Sequence, residues 1–305
     1  MEASFFIDSK TIKLLIAIGE QVGEVKANHL IHPERNFKKK AFLERVHSAI
    51  ALDGNVLSFD QFKALTNHYL VNASPIDIQE AKNALDMYDA LPEYHYTSLS
   101  DFKKLLQHLK SNSPEQVSAK NNFSGETNEE LEWLFSYLTK NKDHSLLKSC
   151  IFHFYFLQMQ AFQEEHFSIA LLWQKLILMD YHPFFEFIAL EKQVRNKQAK
   201  YKGAIEKTKS GGEALPLIHF LLQSIHSALE IYLRTQKITL TSDDRMALFI
   251  QSFEGEEFVR QDYLRKFKNI SAVTASRDLK EAVNSRLLLK KGDKRLATYK
   301  LLTKA

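Results

Sequence analysis

Residues Ile151 to Trp173 read IFHFYFLQMQAFQEEHFSIALLW. Two apolar helical runs flank a polar break from Gln160 to Ser168. Leu146 to Met159 is apolar on almost every face, and a helix apolar all round must be covered on all sides. Ile169 to Met179 reads as its partner, ended by His182-Pro183. A buried helix pair of this kind sets a mainly α fold. The polar break between the two helices is where an active site is expected.

Composition agrees with that reading. Hydrophobic residues make up 45% and charged residues 26% of the chain, the balance of a globular protein with a large core. Only 9 Gly and 6 Pro are present, which favours helices over turn-rich β architecture. The 305 residues suffice for two domains. The one cysteine, Cys150, excludes an intramolecular disulfide and suits a reducing compartment. No apolar run reaches the ~18 residues of a membrane span, and MEASFFIDSK does not read as a signal peptide. A cytoplasmic protein without membrane contact is expected. The net charge of +4 is too small to imply nucleic acid by itself. Residues 243–305, however, hold 14 Lys and Arg against 9 Asp and Glu, so the basic excess sits in the tail.

Along the chain, Ser9 to Ala27 reads as an amphipathic helix. Ile12, Leu15, Ile16, Gly19, Val22 and Gly23 recur at helical spacing, with Lys13, Glu20 and Glu24 elsewhere on its surface. A helix from about Phe37 through Ala51 ends at the turn Asp53-Gly54-Asn55. Ser58, Ser74 and Ser100 read as caps or openers of the next three helices. Ser111 to Asn128 reads as a loop, and Glu129 to Thr139 as a helix. Leu190 to Lys207 reads as one charged outer helix, Ser210-Gly211-Gly212 as a turn, and Ala214 to Arg234 as a long final helix. After a boundary near Thr235 to Ser242 come helices at Asp243 to Phe253, Val259 to Phe267 and Ser271 to Arg286. A β-hairpin, Leu287 to Lys291 and Leu296 to Leu301, closes the chain. Three helices followed by a hairpin is the order of a winged helix-turn-helix.

Five segments carry a resemblance to a known family. They are FIDSKTIKLLIAIGEQVGEV (residues 6–25), HSAIALDGNVLSFDQF (47–62), DIQEAKNALDMYDAL (77–91), KSCIFHFYFLQMQAF (148–162) and LLWQKLILM (171–179). In order and spacing they resemble the Fic family, whose signature H-x-F-x-(D/E)-G-N-G-R-x-x-R lies between two such helices. The resemblance implies a Fic-fold helical domain over residues 1–234, with N-terminal helices in 1–91 and a core from about 97 to 234. A winged helix-turn-helix over 243–305 would follow, as in many family members.

The family's reaction is transfer of AMP to a protein hydroxyl. It uses a His as general base, an acidic residue that holds Mg²⁺ on the phosphates, and a Gly-Asn-Gly turn with a helix N-terminus that cradles them. Here the His position carries Gln160, whose amide has no basic nitrogen near neutral pH. Phe162 and the acidic Glu164 match. Glu165, His166, Phe167 and Ser168 stand where the family has Gly-Asn-Gly-Arg, and Leu171 stands at the final Arg. Glu165 and Phe167 put side chains where glycines let phosphates approach the backbone. In the family's inhibitory segment, Ala49 stands at the Ser/Thr position and Asp53 at the Glu that pairs with that Arg, while Gly54 matches. The region from Lys110 to Glu129 lacks the family's flap element that lays the target peptide beside the site.

The expectation is a degenerate Fic-domain protein, inactive in AMP transfer, acting as a scaffold or regulator through its winged helix. The alternative is a Fic-type nucleotidyltransferase with an altered site. No cofactor is expected under the first reading. Mg-ATP belongs to the second, with Glu164 as the metal-holding residue. Glu164 also reads as an acidic residue near the start of the following helix. The 12 histidines form no ligand pair on one helix face, and His153 reads as a hydrogen-bonded core residue. Cys150 shows no sign of activation. In the tail, Thr274, Ser276, Arg277 and Lys280 are candidate contacts to a major groove, and Lys290, Lys291, Lys294 and Arg295 to phosphates. Asp278 and Glu281 dilute that positive field. The partner is DNA or a protein, with a homo-oligomer as a further possibility.

Overall fold

The computed structural model describes residues 7–28, 33, 35–110, 125–159, 166–211, 213–235, 241–253, 255–267, 270–292 and 297–302. The positions Gln160, Phe162, Glu164, Glu165, Lys294 and Arg295 lie outside them. The chain divides into two compact units, Met1–Gln236 and Lys237–Ala305.

The regular elements of the first unit, among its described residues, are all helices. It runs α1 (Ser9–Ala27), α2 (Arg35–Leu52), α3 (Phe59–Thr66), α4 (Pro75–Asp89), α5 (Leu99–Lys110), α6 (Gly125–Lys140), α7 (Ser145–Gln158), α8 (Phe167–Tyr181), α9 (Leu190–Asn196), α10 (Gln198–Gly211) and α11 (Leu215–Thr235). Local chemistry sets many of these ends. Asp8 caps α1, with its carboxylate accepting from Thr11 N at 2.8 Å. Ser58 and Gln61 form a reciprocal capping box at α3. Ser74 caps α4, whose first residue is Pro75.

The centre is the α7–α8 pair. Ile151, Phe152, Phe156, Ala170, Leu171, Leu172, Trp173 and Ile177 have no exposed surface. Edge-to-face rings lock the pair to α5, where Phe102 meets Trp173 at 4.9 Å and Phe156 at 5.7 Å. His153 is fully buried and hydrogen-bonded on both ring nitrogens, Nδ1 to Gln174 Oε1 at 2.8 Å and Nε2 to Tyr201 Oη at 2.6 Å. Burial lowers its pKa to about 3, so it is neutral. Cys150 is also buried, and burial raises its thiol to about 12.

The second unit runs α12 (Ser242–Ser252), β1 (Glu257–Val259), α13 (Arg260–Lys266), α14 (Ala272–Asn284), β2 (Leu288–Lys291) and β3 (Thr298–Leu301). The three strands are antiparallel in the order β1-β3-β2, with Phe258 opposite Tyr299 and Leu288 opposite Leu301. Met246, Phe249, Phe258, Tyr263, Ala275, Leu279, Ala282 and Leu288 form a core of its own.

Several sequence expectations are corrected. The predicted outer helix Leu190 to Lys207 is two helices, because the chain turns at Lys197, whose N–H bonds back to Val194 O at 3.1 Å. Helix α10 continues through Gly211, where a turn was expected. Helix α6 begins at Gly125, inside the predicted loop, whose residues 111–124 lie outside the described ones. Ser98, not Ser100, accepts from the Asp101 N–H at the start of α5. Strand β1 was missed, because three residues leave no alternation to read. On α1 the predicted apolar stripe is split, with Val22 buried and Leu15 packed against the core. The core takes Thr11, Ile18, Val22 and Val25, while Ile12, Ile16, Gly19 and Gly23 face outward.

Candidate functional site

The site is the N-terminal turn of α8. The first N–H groups of a helix have no intrahelical partner and carry the positive end of its dipole, so they attract an anion. His166, the cap residue of α8, supplies no side-chain cap. The anion comes instead from Asp53, 114 residues earlier in the chain. Its Oδ1 accepts from Phe167 N at 2.8 Å, and both carboxylate oxygens lie 3.2 Å from Ser168 N.

Asp53 is aimed there by the end of α2. The N–H groups of Asp53 and Asn55 both bond to Ile50 O, each at 3.1 Å. Gly54 takes φ 100°, a left-handed conformation that a Cβ disfavours. Asn55 then ties the turn to α4. Its Nδ2 donates to Asp77 O at 3.0 Å and to Glu80 Oε2 at 2.9 Å, and its Oδ1 accepts from Leu57 N at 3.2 Å. A second anchor is His47, whose Nε2 lies 2.7 Å from Leu57 O and whose Nδ1 lies 2.9 Å from Arg195 Nη1. Desolvation and then the Arg195 charge lower the pKa of His47. The neutral ring accepts from Arg195 and donates to Leu57. The resemblance set Asp53 at the residue that pairs with the signature's final Arg, the position of Leu171 on α8; here the carboxylate meets the backbone at the start of that helix instead.

Ala49, Phe167, Ser168 and Leu171, at other positions of the segment and signature, pack into the domain. Ala49 and Leu171 have no exposed surface, and Ser168 is buried. Phe167 is half-buried, with its ring edge-on to Tyr201 at 5.4 Å and Lys202 Nζ 5.9 Å above it. Behind the turn lies a buried ion pair. Lys175 Nζ of α8 sits 3.0 Å from Glu191 Oε2 of α9, both inaccessible, and also donates to Ile188 O. Desolvation is the larger influence on Lys175 and lowers its pKa to about 8, while Glu191 opposes the fall. Arg45 and Tyr88 are buried in the same charged neighbourhood. No cluster of three metal-ligating side chains occurs among the described residues.

In the second unit, α14 carries the predicted contacts. Arg277 and Lys280 are exposed on one face with Val273 and Asn284. Thr274 and Ser276 are half-buried and engaged locally. Thr274 Oγ1 lies 2.9 Å from Ser271 Oγ, while Ser276 Oγ accepts from Arg260 Nη1 at 3.0 Å. Lys290 is exposed, and Lys291 pairs with Glu257 at 2.7 Å. Asp278 does not dilute the field as expected. It is buried and takes a bidentate pair from Arg245, at 2.6 and 2.7 Å, and a hydrogen bond from Tyr263 Oη at 3.1 Å.

No family model matches the chain, and no curated protein matches it. Solved structures do. A Fic family protein from Desulfovibrio desulfuricans G20 is similar over 100% of this chain and 99% of its own, with a TM-score of 0.70 and 21% identity. A Fic domain containing signaling protein from Bacteroides thetaiotaomicron VPI-5482 is similar over 72% of this chain and 97% of its own, with a TM-score of 0.56 and 16% identity. The chain therefore has the Fic fold, as the resemblance implied. No helix among the described residues is long and apolar enough to cross a membrane.

Proposed function

We propose that the first unit is a Fic domain that no longer transfers AMP, and that the protein acts as a scaffold or regulator. One observation carries this reading. The backbone N–H groups that would cradle phosphates at the start of α8 are taken by the carboxylate of Asp53. A phosphate entering there must displace a charge-assisted cap and meet a like charge. The residues at the signature positions add to this, with Gln160 for the general base and Leu171 for the final cation. Calorimetric titration with Mg-ATP tests the reading. No saturable heat is expected up to about 1 mM, an affinity limit of roughly −4 kcal/mol. Gln160→His is expected to stay inactive with labelled ATP. Binding that Glu164→Ala weakens, or AMP transfer by that histidine variant, would reinstate a nucleotidyltransferase.

The second unit is read as a winged helix-turn-helix that contacts DNA. Its strand order β1-β3-β2 behind three helices supports this, as do Arg277 and Lys280 on the open face of α14. A gel shift with random duplex DNA is expected to weaken steeply with salt and to be lost in Arg277→Ala/Lys280→Ala. Binding indifferent to both would assign the unit to a protein partner.

A further inference from the structure

The outward stripe of α1 is self-complementary. Ile12, Ile16, Gly19 and Gly23 follow each other at spacings of four, three and four residues, the seam of a helix pair. Ile12 and Ile16 are 49% and 58% exposed. Gly19 and Gly23 are exposed, and a Cβ built on either would meet nothing within 4 Å. The first half of the stripe is two apolar knobs, and the second half is two hollows.

We propose that α1 pairs with α1 of a second copy of this chain, antiparallel, about a two-fold axis between Ile16 and Gly19. In that register Ile12 of each copy lies over Gly23 of the other, and Ile16 over Gly19. A parallel pair would stack Ile on Ile and leave Gly facing Gly. The charges select the same arrangement. Lys13 and Glu20 are exposed on one flank of the stripe, seven residues apart. Antiparallel helices bring like flanks together, so Lys13 of one copy meets Glu20 of the other, twice. A contact confined to one helix per copy falls short of the ~800 Å² per partner of a standard interface, so the pairing is reversible. Isologous contact of this kind closes as a dimer.

Sedimentation velocity on the full chain tests it. A monomer–dimer equilibrium with Kd on the order of 10–100 µM is expected. Gly19→Leu/Gly23→Leu fills the hollows and is expected to raise Kd at least about tenfold, with the thermal midpoint unchanged or higher. Lys13→Glu is expected to weaken the dimer, and Lys13→Glu/Glu20→Lys to restore it. A chain monomeric up to several hundred micromolar overturns the proposal. So does a dimer indifferent to the leucine variant, or one that the charge swap fails to rescue.

Discussion

His153 shows how far a single residue was legible. An isolated histidine inside a run apolar on every face had to be neutral and hydrogen-bonded, and it is, between Gln174 and Tyr201. Its partners, on α8 and α10, were not legible, because nothing local links positions 153 and 201. Its lowered pKa has a defined consequence. The folded form holds the ring neutral, while the unfolded chain takes up a proton near the ordinary value of 6.5. Stability is therefore fully present above pH 6.5 and falls as pH drops toward 3, by about 1.4 kcal/mol per unit. Urea titrations across that window are expected to show the slope, and His153→Gln to flatten it. Glu191 gives a second prediction at this scale. Its removal leaves Lys175 charged and buried, or forces it to lose its proton, so Glu191→Ala is expected to cost about 3–5 kcal/mol in a denaturant titration.

At the scale of elements, long periodic segments were legible and short or non-local ones were not. Helices α7 and α8 followed from their apolar runs. The break between α9 and α10 carries no Gly or Pro to announce it. On α1 the predicted stripe mixed two faces, with Leu15 and Val22 toward the core and Ile12, Ile16, Gly19 and Gly23 outward. The sequence shows two apolar faces there, and only packing decides which one the domain covers. The α2–α8 link was legible only through the resemblance, which paired position 53 with a side chain on α8; that the carboxylate caps the backbone instead leaves no mark in the spacing of either helix. It predicts that Asp53→Ala lowers stability by about 1 kcal/mol, the usual worth of a helix cap, in an equilibrium urea titration. Gly54→Ala is expected to destabilise as well, because φ 100° at that turn is strained for a Cβ-bearing residue.

For the whole molecule, the two units have separate hydrophobic cores. Each should unfold as its own cooperative body. Arg245 and Asp278 tie α12 to α14 by a bidentate pair with Asp278 at 1% exposure. Arg245→Ala strands that carboxylate, so calorimetry is expected to show a loss of about 3–5 kcal/mol confined to the second unit's transition. A single transition that shifts as one would mean the units are energetically coupled. The tail's basic excess was legible by counting charges. That Asp278 is spent inside the fold was not, because its partner sits 33 residues earlier on another helix.

On the reading proposed for the first unit, the carboxylate at the head of α8 also constrains the order in which AMP transfer could be recovered. Restoring the family's glycines, its two arginines and its histidine one at a time leaves the α8 cradle taken by Asp53. Each step is therefore expected to be silent while Asp53 remains. Removing Asp53 first empties the cradle but gains nothing until the other groups return. The effects are then expected to be non-additive, with every single-step route toward phosphate chemistry flat or downhill at its start.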